Sequence, residues 1–567
     1  MIPTTLAPGT ESPKSLQMIK AWLDKCDTNH NHCRHNHIEW LPSRLINVGN
    51  QNAKALPYLC SSSLLSRGTR YLTLSHCWGK RPIFRLLSSN IVDLQRYLPI
   101  HKLPKTFRDI IWLAQKLDIQ YVWIDSLCII QDSECDWASQ SPMMEDVYAN
   151  SYCNIAATGA SDGQDGLFLE RNQAAVRPLE LCIPVKPLSL RGIPTGSYYC
   201  IDDFWKDGVE KAPLSQRAWV FQERFLSRRT VHFGSQQLFW ECKELEACEI
   251  FPSKLPPKLA TNYKKKNRFF MDESASFKKD ISIGELLTAW CDLVATYTKG
   301  HLTRQSDKLV AISGVAKRVA RLISSEYLAV LWRVGFPGQL LWNVTHVRGS
   351  KAKTTRQQSY CAPSWSWASM DGPVTFVENA HAMESLVEIV NSNVTLLDTG
   401  NFGAVSDGHI QLRGRLAHVE FIESNDVLDL ERAKSTEMSH PVVLKSQDSN
   451  RELSVRINLC PDAFPAPPFA VIAGAAMPLY TFREGIGSRD FFILPLCHCN
   501  DSGYIWGLIL KSAGSPGYFQ RLGMFYENLG DYKGHRLSVL ITSRPVLRGT
   551  DFEDYDAASG LYIITMK

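Results

Sequence analysis

Four groups of residues in the 567-residue chain have the types and spacing that chemistry needs. The first is Cys26-x3-His30-x2-Cys33, with His32, His35 and His37 close by. Thiols and imidazoles at this spacing supply three zinc ligands, and no second C-x-x-C pair offers an evident fourth. The competing reading packs Cys26 in a helix and turns the histidines to solvent. The second group is Ser75-His76-Cys77-Trp78-Gly79 and the third is Asp125-Ser126-Leu127-Cys128-Ile129-Ile130-Gln131-Asp132. A carboxylate at a strand end anchors a ribose hydroxyl, polarises a water or caps the following turn. In the fourth group, Arg217 and Arg224 bracket Glu223, an arrangement for an acidic ligand or a buried ion pair.

Some chemistry is excluded directly. Ser75, His76 and Cys77 are adjacent, and neighbouring side chains on a strand point to opposite faces, so they make no hydrolase triad. Ser75 sits in no G-x-S-x-G elbow, and no phosphate loop or dinucleotide fingerprint occurs in a strand-to-helix context.

The elements that must position these groups follow from periodicity. Leu16, Ile19, Trp22, Leu23 and Cys26 form one helical stripe. The run 71–76 reads as a strand, 103–117 as a helix beginning at a proline, 121–125 as a strand, 142–150 as a short helix and 151–158 as another strand. Alternating strands and helices predict an α/β core, a parallel sheet flanked by helices. The second and third groups both leave the carboxyl ends of strands, where open parallel sheets bind ligands. Ser75, His76, Cys77, Trp78, Ser126, Cys128 and Arg217 are therefore the candidate cofactor-binding residues. The runs 217–221, 230–234 and 237–242 read as strands, 284–297 and 307–323 as helices, and the region after about 375 as mainly β. The expected organisation is an N-terminal helix and Cys/His segment (1–65), an α/β domain (66–245), a helical connecting region (246–375) and a β-rich C-terminal region (376–567).

Composition bounds the function class. Lys plus Arg number 62 against 57 Asp plus Glu, a net +5 too small for a dedicated nucleic-acid binder. Sixteen scattered cysteines suit reduced thiols in an intracellular, cytoplasmic protein. The N-terminus shows no secretory signal, and prolines interrupt 463–482, so no transmembrane segment is expected.

Taken together, YLTLSHCWG (71–79), LPKTFRDII (103–111), YVWIDSLCIIQD (121–132), the stretch 136–157, DGLF (165–168), SQRAWVFQERFLSRR (215–229) and FWEC (239–242) resemble the fungal heterokaryon incompatibility (HET) domain. This resemblance implies a role in nonself recognition and programmed cell death. It also implies a distant likeness to Toll/interleukin-1 receptor (TIR) domains, some of which cleave NAD. The core would then be TIR-like and act through NAD cleavage or through self-assembly into a homo-oligomer, with a protein partner or sensor encoded elsewhere. The family pattern D-W-x-x-E-x-x-x-M-x-x-[VI]-Y falls on Asp136, Trp137, Met144, Val147 and Tyr148, with Gln140 at the glutamate position. Glutamine cannot ionise, and Pro142 implies a helix capped by Ser141 that leaves Gln140 outside. Gln140 thus argues for weak or absent NAD glycohydrolase-like activity. Asp125, Glu145 and Glu223 remain as candidate catalytic carboxylates. The alternative is a non-enzymatic signalling or binding module with a degenerate site.

Overall fold

The computed structural model describes residues 6–33, 40–50, 56–172, 179–183, 196–200, 204–257, 259, 281–345, 356–357, 359–397, 402–418, 420–422, 440–446, 453–462, 491–528, 547, 549 and 551–567. His35, His37, the lysine cluster 264–266, the proline-rich stretch 463–482 and the strand-like run 537–543 lie outside them. The chain divides into two compact units, 1–279 and 280–567.

The first unit is a helix-flanked sheet. Its N-terminal helix α1 (Pro13–Asn29) starts at Ser12, whose side chain accepts from the Ser15 amide. It buries Ile19, Trp22, Leu23 and Cys26 of the stripe expected from the sequence, and leaves Leu16 half-buried. Strands β1 (Arg44–Asn47) and β2 (Tyr58–Ser61) form a hairpin. Next come β3 (Tyr71–Ser75), α2 (Ile91–Arg96), α3 (Lys105–Lys116), β4 (Tyr121–Trp123), α4 (Asp125–Cys128), α5 (Glu134–Gln140), α6 (Met144–Ala149) and β5 (Cys153–Ala156). A separate hairpin pairs β6 (Leu179–Ile183) with β7 (Gly196–Cys200). Helix α7 (Ala218–Leu226) leads into β8 (Arg229–Phe233), β9 (Leu238–Cys242) and β10 (Glu246–Cys248).

The sheet order is β10-β9-β8-β5-β3-β4-β1-β2. Its centre, β8-β5-β3-β4, is parallel, as the alternation of strands and helices predicts. Both flanks are antiparallel, so the sheet is mixed rather than the all-parallel one expected. The reason is local. Tight connections such as 234–237 return β9 directly beside β8, and an antiparallel neighbour needs no crossover helix. Every residue of β3, β5 and β8 is buried, as central parallel strands covered on both faces require.

One expected strand is a helix. The run 217–221 opens α7, because a four-residue apolar stretch fits a buried helix and a buried strand equally, and Ala218, Gln222, Glu223 and Phe225 share the buried side. The helix boundary around Pro142 also differs. Gln140 is the last residue of α5, Ser141–Met143 form a 3-10 turn carrying the proline, and α6 starts only at Met144.

The second unit contains α8 (Ile283–Tyr297), with a capping box between Ser282 and Glu285, and α9 (Val310–Ala320). Its C-terminal part is mainly β: a 12-stranded sheet in which 491–499, 504–512 and 518–528 are consecutive antiparallel neighbours. Trp342, Trp365 and Trp367 are buried, and Trp342 Nε1 donates to the Trp365 carbonyl at 2.9 Å. The fully buried Arg521 guanidinium lies 3.5 Å over the Trp342 ring and donates to both Asp462 oxygens, at 2.9 and 3.1 Å. It also donates to the Leu340 and Trp342 carbonyls. Removing one partner of such a pair strands the other charge in the core. Asp462→Ala is therefore expected to destabilise the second unit by about 3–5 kcal/mol, measured by denaturant unfolding.

Candidate functional site

At the carboxyl ends of β3 and β4 the chain leaves the sheet in two polar turns. After Ser75, residues 76–79 turn away through Gly79, whose φ is +73°. A Cβ there would stand 2.4 Å from Asp162 Cβ, so backbone conformation and space both demand glycine. After β4, Asp125 opens the single turn α4, and one of its carboxylate oxygens accepts from the Ser126 amide at 2.7 Å. Its other oxygen accepts from Trp78 Nε1 at 2.9 Å, which joins the two turns.

His76 sits between them. Its ring stacks against Trp78 with centroids 6.5 Å apart and meets Phe107 of α3 edge-on at 4.9 Å. His76 Nδ1 lies 3.7 Å from Asp125 Oδ1, beyond hydrogen-bond range. Burial pushes the imidazole down to about 4 despite the pull of Asp125, with Arg217 adding to the depression, so His76 is neutral at physiological pH. Its Nε2 is buried and has no partner among the described residues.

The second carboxyl group comes from α7. Burial pushes Glu223 up to about 7, against the opposing influence of Arg217 and the Ser75 hydroxyl, while Asp125 raises it further. The Tyr148 hydroxyl of α6 also hydrogen-bonds this carboxyl group, and Glu223 Oε2 has no partner among the described residues. Arg217, just before α7, donates to the His76 carbonyl. Behind them Asn154 of β5 fixes the end of β3, accepting from Thr73 Oγ1 at 3.0 Å and donating to Ser75 Oγ at 3.0 Å.

The structure thus brings Ser75, His76, Trp78, Asp125, Arg217 and Glu223 to one edge, and Ser126 is buried there with its hydroxyl unpartnered among the described residues. Cys77 packs instead among Ala156, Leu214 and Val220. Cys128 is fully buried, its thiol pushed up to about 12 by burial. Glu145 is buried in the first turn of α6, three residues before Tyr148. Gln140 donates to Ser139 Oγ at 3.1 Å in an exposed contact. Arg224 pairs with Glu241 at 2.8 Å, so only one of the two arginines serves Glu223. Asp136 receives the Arg44 guanidinium on both oxygens, at 2.7 and 2.6 Å, and holds the start of α5 to β1. Sequence reasoning gave Tyr148 no role at the carboxylates and did not use Asn154; both are polar residues inside the motif 136–157.

A second group assembles on the opposite flank of the sheet. The ligand atoms of Cys26, His30, Cys33 and Cys242 all lie within 4.8 Å of one another, and all four residues are buried. Cys242 was missed as a partner of the first three. Its signal was the thiol closing the strand-like run 237–242.

A mixed α/β sheet with a polar, carboxylate-bearing edge at its central strands defines the class. Residues 71–223 match the family described as "Heterokaryon incompatibility protein (HET)". The segment begins at the first residue of β3 and ends at Glu223, so the chain carries a HET domain containing all of the first cluster, and this supports a heterokaryon-incompatibility-type role. Comparison with curated proteins and with solved structures finds no match. Among the described residues no helix is long and apolar enough to cross a membrane.

The raised Glu223 pKa fixes a sign. Between pH 4.5 and 7 the folded state holds a proton that the unfolded state has lost, so this contribution is complete below 4.5 and is lost as pH rises to 7. His76 acts oppositely, losing its contribution as pH falls from 6.5 toward 4. Comparing wild type with Glu223→Gln isolates the first effect. The variant should gain ~2 kcal/mol relative to wild type between pH 5 and pH 8 in denaturant unfolding.

Proposed function

We propose that the HET domain of this chain is a cell-death effector that cleaves the nicotinamide–ribose bond of NAD, with self-assembly or a separate sensor as its trigger. The observation that carries the reading is the convergence of Asp125 and Glu223 at the carboxyl ends of β3 and β4, beside Arg217. A TIR-like relationship, carried by the sequence resemblance, gives the substrate class.

The chemistry asks for an oriented carboxylate near the ribose and a base for the attacking water. Asp125, its side chain 24% exposed and held by Trp78 and the Ser126 amide, is the oriented acceptor for a ribose hydroxyl. Glu223, titrating near 7, takes the proton from water as the oxygen joins C1′ and the nicotinamide leaves with the bonding pair. Products are nicotinamide, ADP-ribose and one proton. Arg217 spends one N–H on the His76 carbonyl, and a guanidinium carries five, so donors remain for a phosphate. Gln140 takes no part in this scheme, so its loss of charge leaves the paired carboxylates intact.

The depth of Glu223, 5% exposed, favours a second reading in which the site binds a ligand without turnover. Incubating the full chain with NAD and measuring nicotinamide release separates the two. Turnover should rise with pH through about 7, fall on the order of 100-fold in Asp125→Asn and Glu223→Gln, and change little in Gln140→Ala. Saturable binding without release would favour the binding module, and release that survives both carboxylate changes would overturn the proposed site.

A further inference from the structure

We infer that Cys26, His30, Cys33 and Cys242 form a structural zinc site that clamps the N-terminal helix to the sheet of the HET domain. This inference is independent of NAD chemistry. Three donors come from one short stretch. Cys26 lies in the last turn of α1, His30 caps that helix with its amide bonded to the Cys26 carbonyl, and the Cys33 amide bonds the His30 carbonyl. This winding turns all three side chains inward. Cys242, the last residue of β9, closes the set from the other side, its Sγ 3.3 Å from His30 Nδ1.

The spacing suits one ion. Zn–S near 2.3 Å and Zn–N near 2.0–2.1 Å place tetrahedral ligand atoms roughly 3.5–3.8 Å apart, a small contraction from a cluster already within 4.8 Å. A two-iron cluster would spread its ligands farther. Thiol and imidazole donors favour zinc over magnesium or calcium, and four protein ligands leave no open position, which makes the site structural rather than catalytic. Full burial points the same way, with Cys26 and Cys33 at 0% exposure and Cys242 at 1%. Pairing two of these thiols in a disulfide would leave the third and the imidazole without a purpose.

The surroundings answer the charge. Three thiolates and a neutral imidazole around Zn2+ leave one net negative charge, which is costly to bury alone. Arg229 of β8 donates from Nε to Cys26 Sγ at 3.2 Å and from a terminal nitrogen to the Cys33 carbonyl at 3.1 Å. Such outer contacts orient metal ligands and balance their charge. The site joins two segments that lie on either side of residues 71–223, so the metal closes the module from outside its matched part.

Metal analysis of the full chain, purified without chelator, tests the inference. The expected result is about one zinc per chain, retained in Cys248→Ser and lost to below about 0.2 equivalents in Cys33→Ser and Cys242→Ser. Should those variants fail to fold, cobalt exchanged into the wild type should show the intense bands of a tetrahedral thiolate site. Less than about one-tenth of an equivalent of metal in wild type, before and after reduction with added zinc, would overturn the site. So would iron with inorganic sulfide in place of zinc, or zinc retained by both ligand variants.

Discussion

A buried cation organises the first unit. The Arg229 guanidinium is fully inside the protein, and an unpaired charge there would cost several kcal/mol. Asp27 of α1 pairs with it at 2.5 Å, the Cys26 sulfur and the Cys33 and Tyr152 carbonyls accept from it, and the Tyr152 ring lies 5.0 Å beneath it. Tyr152 in turn donates to Asp27 at 2.8 Å. Docking of α1 is thus part of completing the sheet. The proposed zinc ion strengthens the same joint, because its ligands straddle the elements that Arg229 already connects.

The site on the other edge is built by the opposite device. Arg229 is satisfied by many partners, whereas His76 Nε2 and Glu223 Oε2 are buried with none among the described residues. A folded chain leaves few polar groups in that condition, and those it leaves often mark a place where something else binds. Their positions are rigid all the same. Phe107 supports the His76 ring, Asn154 holds Ser75, and Tyr148 is packed edge-on against Trp123 at 5.8 Å. Unmet polarity on a fixed frame is what a preorganised site requires.

Much of this frame was legible from local pattern. Phe107, Ile110, Ile111 and Ala114 announce α3 by spacing alone, and the buried runs of β3, β4 and β5 declare a covered parallel centre. What local pattern lacks is information about partners distant in sequence. Nothing near residue 217 distinguishes a buried helix from a buried strand, and only its packing decides. The antiparallel flanks depend on how short connections fold back. Cys242 stands far along the chain from His30, so no spacing rule could pair them. Gln140 illustrates the converse: the motif drew attention to its chemistry, while the structure places its amide against Ser139 in an exposed contact.

These joints bear on what the matched segment can do by itself. Residues 71–223 contain the whole carboxylate cluster but only β3, β4 and β5 of the eight-stranded sheet. Without β8 on one side and β1 on the other, both edges of that central trio would expose unpaired backbone groups. Asp136 would lose Arg44, and α7 would be cut at Glu223, before the Arg224–Glu241 pair that ties it to β9. The flanks supply no residue of the site, yet they supply the hydrogen bonds and charges that keep its strands in register. The functional module is therefore larger than the segment that identifies it, running from the residues before α1 to those beyond β10. Arg171 shows how far this extends. Its guanidinium bonds Glu249 just past β10 while its Nε donates to the Ala7 carbonyl at 2.6 Å, so the two ends of the unit are tied by one side chain.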